Sequence, residues 1–317
     1  MRVVAASGTF CRWCVTLALL LPAVLSVAAQ QADDGAYAAE ITRLRQQKDA
    51  NFRTSPFSRL ALVHRQYLND SSRVAIGSGP EADLRLEGQG IAPLHALIEG
   101  ASLTPVLRAQ GEAAISSLDN PPQRLNELTL KNGTRFHIGR FNLLYRLNPV
   151  WGRTVEVFDP EAPAFRAFTA LDYFPVDPAY RVTGEIIAYE KPERVKLIDS
   201  QGREQPHWLY AELRFTLNGT PCRLELYTLS LDPLEIQREG FMLIFTDATS
   251  GKESYPAARY LYVEGKLSGQ IVVDFNKTFN PPCNYSPVFT CPFPRPQNRL
   301  PVAIRAGEKW YRKNPGA

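Results

Sequence analysis

Leu209-Tyr-Ala-Glu-Leu-Arg-Phe-Thr-Leu217 places an apolar residue at every second position, then meets Asn218-Gly219 before Thr220-Pro-Cys222-Arg-Leu. Strict alternation marks a strand with one dry and one wet face. Asn-Gly accepts the positive φ that both central residues of a type I′ hairpin turn require. The chain is thereby committed to antiparallel pairing, and similar short apolar or alternating runs recur along it. Val74–Ile76, Asp83–Leu86, His95–Ile98, Phe141–Tyr145, Thr154–Phe158, Tyr180–Tyr189, Val195–Ile198, Phe241–Thr246, Arg259–Val263 and Gln270–Phe275 read as strands, parted by breaks such as Gly77-Ser-Gly-Pro80 and Lys131-Asn-Gly133. Short strands at this spacing predict a mainly β chain built as sandwiches or barrels. One stretch departs from the pattern. Tyr37, Ile41 and Leu44 at i, i+4 and i+7, with Glu40, Arg43, Arg45 and Lys48 elsewhere on the helix, predict one amphipathic helix over about 36–52. Thr54-Ser55-Pro56 ends it, since a residue before proline is pushed out of the helical region.

The N-terminus carries an address. Arg2 and Arg12, an apolar run from Cys14 to Val27, and small residues at Ser26-Val27-Ala28-Ala29 follow the order of a secretory signal peptide. The apolar run is short against the roughly 20 residues of a membrane span, although an uncleaved anchor is the alternative. Cleavage after residue 29 would lower the formal charge from +4 by the two arginines, to +2, and leave no integral membrane segment. So small an imbalance gives no general attraction to nucleic acid. The protein is expected to be exported, periplasmic or extracellular.

Ile76-Gly77-Ser78, Gly90-Ile-Ala92-Pro93-Leu94-His95-Ala96 and Leu130-Lys-Asn-Gly133-Thr-Arg-Phe-His-Ile138-Gly139 resemble the skeleton of a forkhead-associated domain over about 70–147. The resemblance implies a β-sandwich. In that family an Arg after the first Gly and a Ser in the second motif recognise phosphothreonine, and here those positions are Ser78 and Ala92. Neither supplies the charged planar fork that matches phosphate, so phosphopeptide binding is not expected and His95 is read as a packing residue. Farther on, Thr169-Ala-Leu-Asp172-Tyr173-Phe174-Pro175, Phe245-Thr246-Asp247-Ala-Thr249-Ser250-Gly251-Lys-Glu253-Ser-Tyr255, Arg259-Tyr260-Leu261 and the whole of Asp274–Lys309 resemble the domain-of-unknown-function family 1684. That likeness runs from about 151 to 311 and supplies kinship without a mechanism. The expected organisation is a signal peptide over 1–29, a helix within 30–58, a degenerate forkhead-associated-like β-sandwich over 59–148, and an antiparallel β-barrel or sandwich over 149–317.

Polar residues gather after strand ends and within the proline-rich run 274–309. Asp247, Thr249 and Glu253 follow the strand at 241–246, while Asp274 and Asn276 follow the apolar run Ile271–Val273. Asn280, Asn298, Arg299 and Arg259 complete a candidate ligand-binding wall, because small-molecule pockets take their specificity from a few placed polar groups. The arginines favour a small anionic ligand. Cys283 and Cys291 are expected to form a disulfide across seven intervening residues, worth about 2–3 kcal/mol by loop closure. A thiol nucleophile using His207 as base is the alternative. No metal site is expected, because zinc wants four ligands and the four histidines lie far from these cysteines in sequence; no cofactor motif is present. The leading expectation is an exported ligand-binding or envelope-associated accessory protein. A hydrolase using Asp274, Glu253 or a free cysteine, and a non-catalytic scaffold, are the competitors.

Overall fold

The computed structural model describes residues 14–68, 73–118, 122–148 and 152–312, with side chains described from residue 33 onward. Part of the expected leader, residues 1–13, lies outside these. From Cys14 the backbone is one helix to Thr54 rather than a helix confined to about 36–52. Repeated alanines between 28 and 39 favour the helical backbone ahead of the expected start. Among the described residues no helix is long and apolar enough to cross a membrane.

The N-terminal β-layers form a sandwich. One sheet runs in the order Leu62–Tyr67, Gly152–Phe158, Phe141–Asn148, Arg135–Ile138, Ile115–Ser116, Arg124–Leu125. The other runs Leu84–Arg85, Arg73–Gly77, Ala96–Glu99, Val106–Ala109, Glu127–Thr129. A single buried cluster takes Ile76, Ile98 and Leu107 from one sheet and Phe136, Leu143 and Val155 from the other. Gly152–Phe158, on the far side of the expected boundary at 148/149, pairs with both Phe141–Asn148 and Leu62–Tyr67 and so belongs to this sandwich. Gly77 sits where a Cβ would lie 2.1 Å from the Pro93 carbonyl oxygen, so only glycine lets the two loops meet. His95 is buried and satisfied by backbone, taking the Ala92 N–H on Nδ1 at 3.2 Å with Nε2 3.0 Å from the Ala114 carbonyl.

The C-terminal half has a four-stranded antiparallel sheet in the order Thr220–Thr228, Glu204–Leu217, Arg181–Ile198, Gly269–Asp274, and a two-stranded ribbon of Phe241–Phe245 and Arg259–Val263. The expected hairpin is present. Asn218 and Gly219 both have positive φ, and Leu217 pairs with Thr220 and Phe215 with Cys222. Ala211, Leu213, Phe215 and Leu217 are buried while the residues between them face outward. Their core includes Phe241, Phe245 and Leu261 of the ribbon, so the ribbon covers the dry face of the sheet. Among the described residues none of the sheets closes on itself. Of the two architectures left open by the sequence, the layered one stands and the barrel does not.

The helix and residues 275–312 lie outside these sheets. Ile41 and Phe52 of the helix are buried, and Tyr37, Arg45 and Lys48 lie on the same inward face at spacings of three and four. Residues 275–312 carry only short 3-10 turns and isolated bridges.

Gly219 has φ 75° and open space where its Cβ would be, so a side chain there meets backbone strain alone. Gly219→Val is expected to lower unfolding stability by about 1–2 kcal/mol, the left-handed penalty of an L-residue, measured by urea denaturation.

Candidate functional site

The ribbon strand Phe241–Phe245 runs out into a tight turn at Asp247, and the expected rim of hydroxyls and carboxylates folds inward there. Asp247 Oδ1 accepts the Thr249 N–H and hydroxyl, both at 2.6 Å, and the Thr249 hydroxyl lies 2.7 Å from that of Ser254. Asp247 Oδ2 accepts Arg259 Nη1 at 2.5 Å in a pair whose side chains are almost wholly buried. The same guanidinium donates to the Ile304 carbonyl at 2.7 Å and to that of Ala306. Burial pushes the Arg259 pKa down while Asp247 opposes the shift. Asp247, Thr249 and Arg259 therefore tie the turn after the ribbon strand to the backbone at Ile304 and Ala306. Glu253 turns outward instead, 3.2 Å from exposed Arg305.

The remaining expected residues separate in the same way. Asn298 is fully buried; its Oδ1 accepts the Glu225 N–H at 2.7 Å, and its Nδ2 donates to the carbonyls of Ile244 at 2.9 Å and Glu225 at 3.1 Å. It thus stitches the main sheet to the ribbon through backbone groups that no ladder satisfies. Arg299 beside it is exposed, and its backbone bridges Thr246. Asn276 makes a two-way pair with the backbone of Asp177, at 3.0 and 2.8 Å. Asp274 accepts the Tyr37 hydroxyl at 2.7 Å and the Asn276 N–H at 3.1 Å, with Lys277 3.8 Å away. Burial and the Asp274 contact push the Tyr37 hydroxyl pKa up. Asn280 donates its side-chain amide to the Lys309 carbonyl at 2.8 Å.

The residue that collects these contacts is one the candidate wall left out. Glu308 is 2% exposed, and its carboxylate accepts Lys48 Nζ, the Asn280 N–H at 2.8 Å and the Tyr285 hydroxyl at 2.5 Å. Beside it lies a cavity of about 180 Å³ between the helix and residues 276–279, lined by Arg45, Lys48, Tyr173, Lys277, Thr278 and Glu308 among others. Arg45 gives Nη1 to the Phe174 carbonyl at 2.8 Å and stands 4.7 Å over the Tyr173 ring, but its Nε and Nη2 are buried without a hydrogen-bond partner. Burial holds the Arg45 pKa down. Thr278, 2% exposed, has a hydroxyl equally without a partner. Buried polar groups are nearly always paired, so this concentration of unpaired donors singles the cavity out. Its sequence signal was the spacing of Ile41, Arg45, Lys48 and Phe52, which puts two cations on the apolar face of the helix.

Larger hollows lie elsewhere. One of about 870 Å³ crosses the outer face of the main sheet over Glu212, Arg214 and Arg223, which already pair with one another at 2.5 and 3.7 Å and leave no orphaned group. One of about 430 Å³ is lined by Asp172, Glu253, Lys309 and Trp310. Among the expected site residues, Asn276 alone lines the helix-side cavity and Glu253 alone this one. Among the described residues no group of three or more possible metal ligands occurs.

Cys283 and Cys291 are free thiols, which corrects the expected disulfide. Instead of a sulfur–sulfur bond, the Cys291 sulfur takes the backbone N–H of Cys283 at 3.2 Å, and the Tyr255 hydroxyl stands 4.0 Å from the Cys283 sulfur. His207, the base a thiol nucleophile would need, has Nδ1 3.1 Å from the Gln205 carbonyl and lines a different hollow with Tyr227 and Met242.

A family model described as protein of unknown function (DUF1684) matches residues 166–309. The chain is similar to an uncharacterized protein of Haloarcula marismortui solved in solution, at 34% identity over 48% of this chain and 82% of that one, with a TM-score of 0.39. It is also similar to an FHA domain of Mycobacterium tuberculosis, at 21% identity over 27% of this chain and 76% of that one, TM-score 0.20. A domain from a study of phosphothreonine-dependent FHA domain interactions is 19% identical over 27% of this chain and 96% of that one, TM-score 0.23. No curated protein matches.

Asp247→Ala would strand Arg259 in the interior without its counter-ion. It is expected to cost about 3–5 kcal/mol in urea unfolding, whereas Glu253→Ala, which breaks only an exposed pair, is expected to stay within about 1 kcal/mol of the parent.

Proposed function

The C-terminal half of this chain, residues 166–309, belongs to that DUF1684 family, and we propose that the protein is an exported accessory protein that binds a small anionic ligand in the helix-side cavity. Export rests on the leader-like order of residues 1–29, and the ligand rests on the cavity. The observation that carries it is the pair of buried, unpartnered groups there: the Arg45 guanidinium nitrogens Nε and Nη2, and the Thr278 hydroxyl. Three cations, Arg45, Lys48 and Lys277, line the cavity against one carboxylate, Glu308, which favours negative charge. A guanidinium with free nitrogens offers a directional hydrogen-bonding edge to a carboxylate or phosphate. At about 180 Å³ the space is below the 300–1,000 Å³ typical of drug-sized ligands, so the ligand is a small one or the anionic end of a larger one. The forkhead-associated-like sandwich contributes no phosphate site to this proposal. Ser78 gives its hydroxyl to the Ile91 carbonyl at 3.0 Å, and Ala92 carries no donor on its side chain.

The hydrolase alternative draws no support from the positions of its acids. Asp274 is held by Tyr37 and the Asn276 backbone, and Glu253 sits at a different hollow against Arg305.

A ligand that favours the folded state raises its apparent stability. Thermal unfolding against inorganic phosphate, small mono- and dicarboxylates and neutral sugars at fixed ionic strength is expected to show stabilisation by one anion class. Arg45→Gln should weaken that anion by about tenfold or more, roughly the worth of a charge-assisted hydrogen bond, while Glu253→Gln leaves it unchanged. An absence of any anion effect, or an Arg45→Gln protein that binds as the parent does, would reject the cavity as the site.

A further inference from the structure

Cys283 and Cys291 are held next to each other by two independent sets of backbone contacts. Cys283 lies in the 3-10 turn Pro282–Asn284, where the Tyr285 N–H returns to the Pro282 carbonyl at 2.9 Å. Cys291 is clamped from the other side. Its N–H donates to the Ser200 hydroxyl at 3.2 Å, its carbonyl accepts the Ser200 N–H at 3.0 Å, and the next residue, Pro292, bridges Asp199. The Cys291 sulfur rests on the Cys283 backbone N–H. The fold has thus brought the two residues next to each other, with the Cys291 sulfur in contact with the Cys283 backbone. Neither sulfur is in an existing disulfide.

The two are not equivalent. Cys283 is partly exposed and Cys291 is 2% exposed. The hydrogen bond from Cys291 draws the Cys283 pKa below its ordinary value against the opposing effect of burial, while the same contact and burial push Cys291 up. The less buried cysteine is therefore also the one more readily present as thiolate, the form that attacks a disulfide.

We infer that Cys283 and Cys291 form a reversible thiol–disulfide site, in which Cys283 is the attacking sulfur and Cys291 the resolving one. The oxidant class is a low-molecular-weight disulfide. The Cys283 thiolate attacks one sulfur of that disulfide, its S–S bond breaks, and one small thiolate leaves, giving a mixed disulfide on Cys283. The Cys291 sulfur then attacks the Cys283 sulfur and the second small thiolate leaves. The two protons of the cysteines end on the two released thiols, so one small disulfide is reduced as one protein disulfide is made. The new bond would close the loop that carries Tyr285, whose hydroxyl holds Glu308. This site stands on its own geometry and does not depend on the ligand assigned to the cavity.

The test is equilibration of the full chain in glutathione buffers of graded thiol-to-disulfide ratio, followed by alkylation and peptide mapping. A Cys283–Cys291 bond is expected to rise with the oxidised fraction and to disappear again on return to the reducing end, with Cys222 alkylated throughout. In Cys291→Ser the reaction should stop at a glutathione adduct on Cys283. Both cysteines alkylated at every ratio, or a bond that persists at the most reducing ratio, would overturn the proposal. So would a Cys291→Ser protein in which Cys283 takes up no glutathione under oxidising conditions. The unsubstituted protein decides the first two outcomes even where the variant fails to fold.

Discussion

The carboxylate of Glu308 is the contact on which the arrangement of the C-terminal segment turns. It is buried, and burying a charge is costly unless it is paired and hydrogen-bonded. Here it receives an ammonium from Lys48, a backbone N–H from Asn280 and the Tyr285 hydroxyl. Those donors come from the helix, from the residues after the last strand and from the cysteine loop, so a single side chain fixes three pieces of chain that no sheet joins. Its own backbone N–H closes on the Thr278 carbonyl at 2.9 Å. Residues 275–312 have few ladder hydrogen bonds; turns and isolated bridges satisfy part of their backbone and side chains satisfy more of it. Arg259 caps the Ile304 and Ala306 carbonyls and Asn280 takes the Lys309 carbonyl, while Asn298 ties the segment to the backbone of Glu225 and Ile244. An irregular segment can be this well buried because its polar backbone has been supplied with partners one by one.

The cavity and the thiol pair are consequences of that arrangement. Lys48 can reach Glu308 only if the helix lies against residues 276–279, and doing so leaves the small space that Arg45 and Thr278 line. Tyr285 reaches Glu308 from inside the loop between Cys283 and Cys291, so the carboxylate sits between the proposed anion site and the proposed redox site. Pairing of Glu308 with Lys48 also leaves Arg45 as the lining cation with unmet hydrogen-bonding capacity.

What the sequence made legible follows how local each signal is. The Asn218-Gly219 turn and the alternation from Leu209 to Leu217 are short-range, and both reappear as the hairpin register. The glycines of the first half and buried His95 fit the sandwich expected there. Sheet membership is a long-range property, and Gly152–Phe158 shows it: its residues read as a strand, but nothing local said that it would lie between Leu62–Tyr67 and Phe141–Asn148. In the C-terminal segment the asparagines and acids stood out because polar residues after strand ends are unusual, and they prove to be ties to backbone carbonyls and N–H groups. Arg45 and Lys48 were hidden by a hydrophobic pattern that counts only apolar positions. They face inward because each has a carbonyl, a ring or a carboxylate to meet there.

The central claim, that Lys48 and Glu308 dock the helix and form one wall of the cavity, is tested most directly by a double-mutant cycle. Urea unfolding of the parent, Lys48→Met, Glu308→Gln and the double variant gives the coupling between the two side chains. Lys48 is 28% exposed at its side chain and Glu308 1%, so the pair is screened less than a surface bridge. A favourable coupling of about 1–3 kcal/mol is expected. Additive losses, with coupling below about 0.5 kcal/mol, would contradict it.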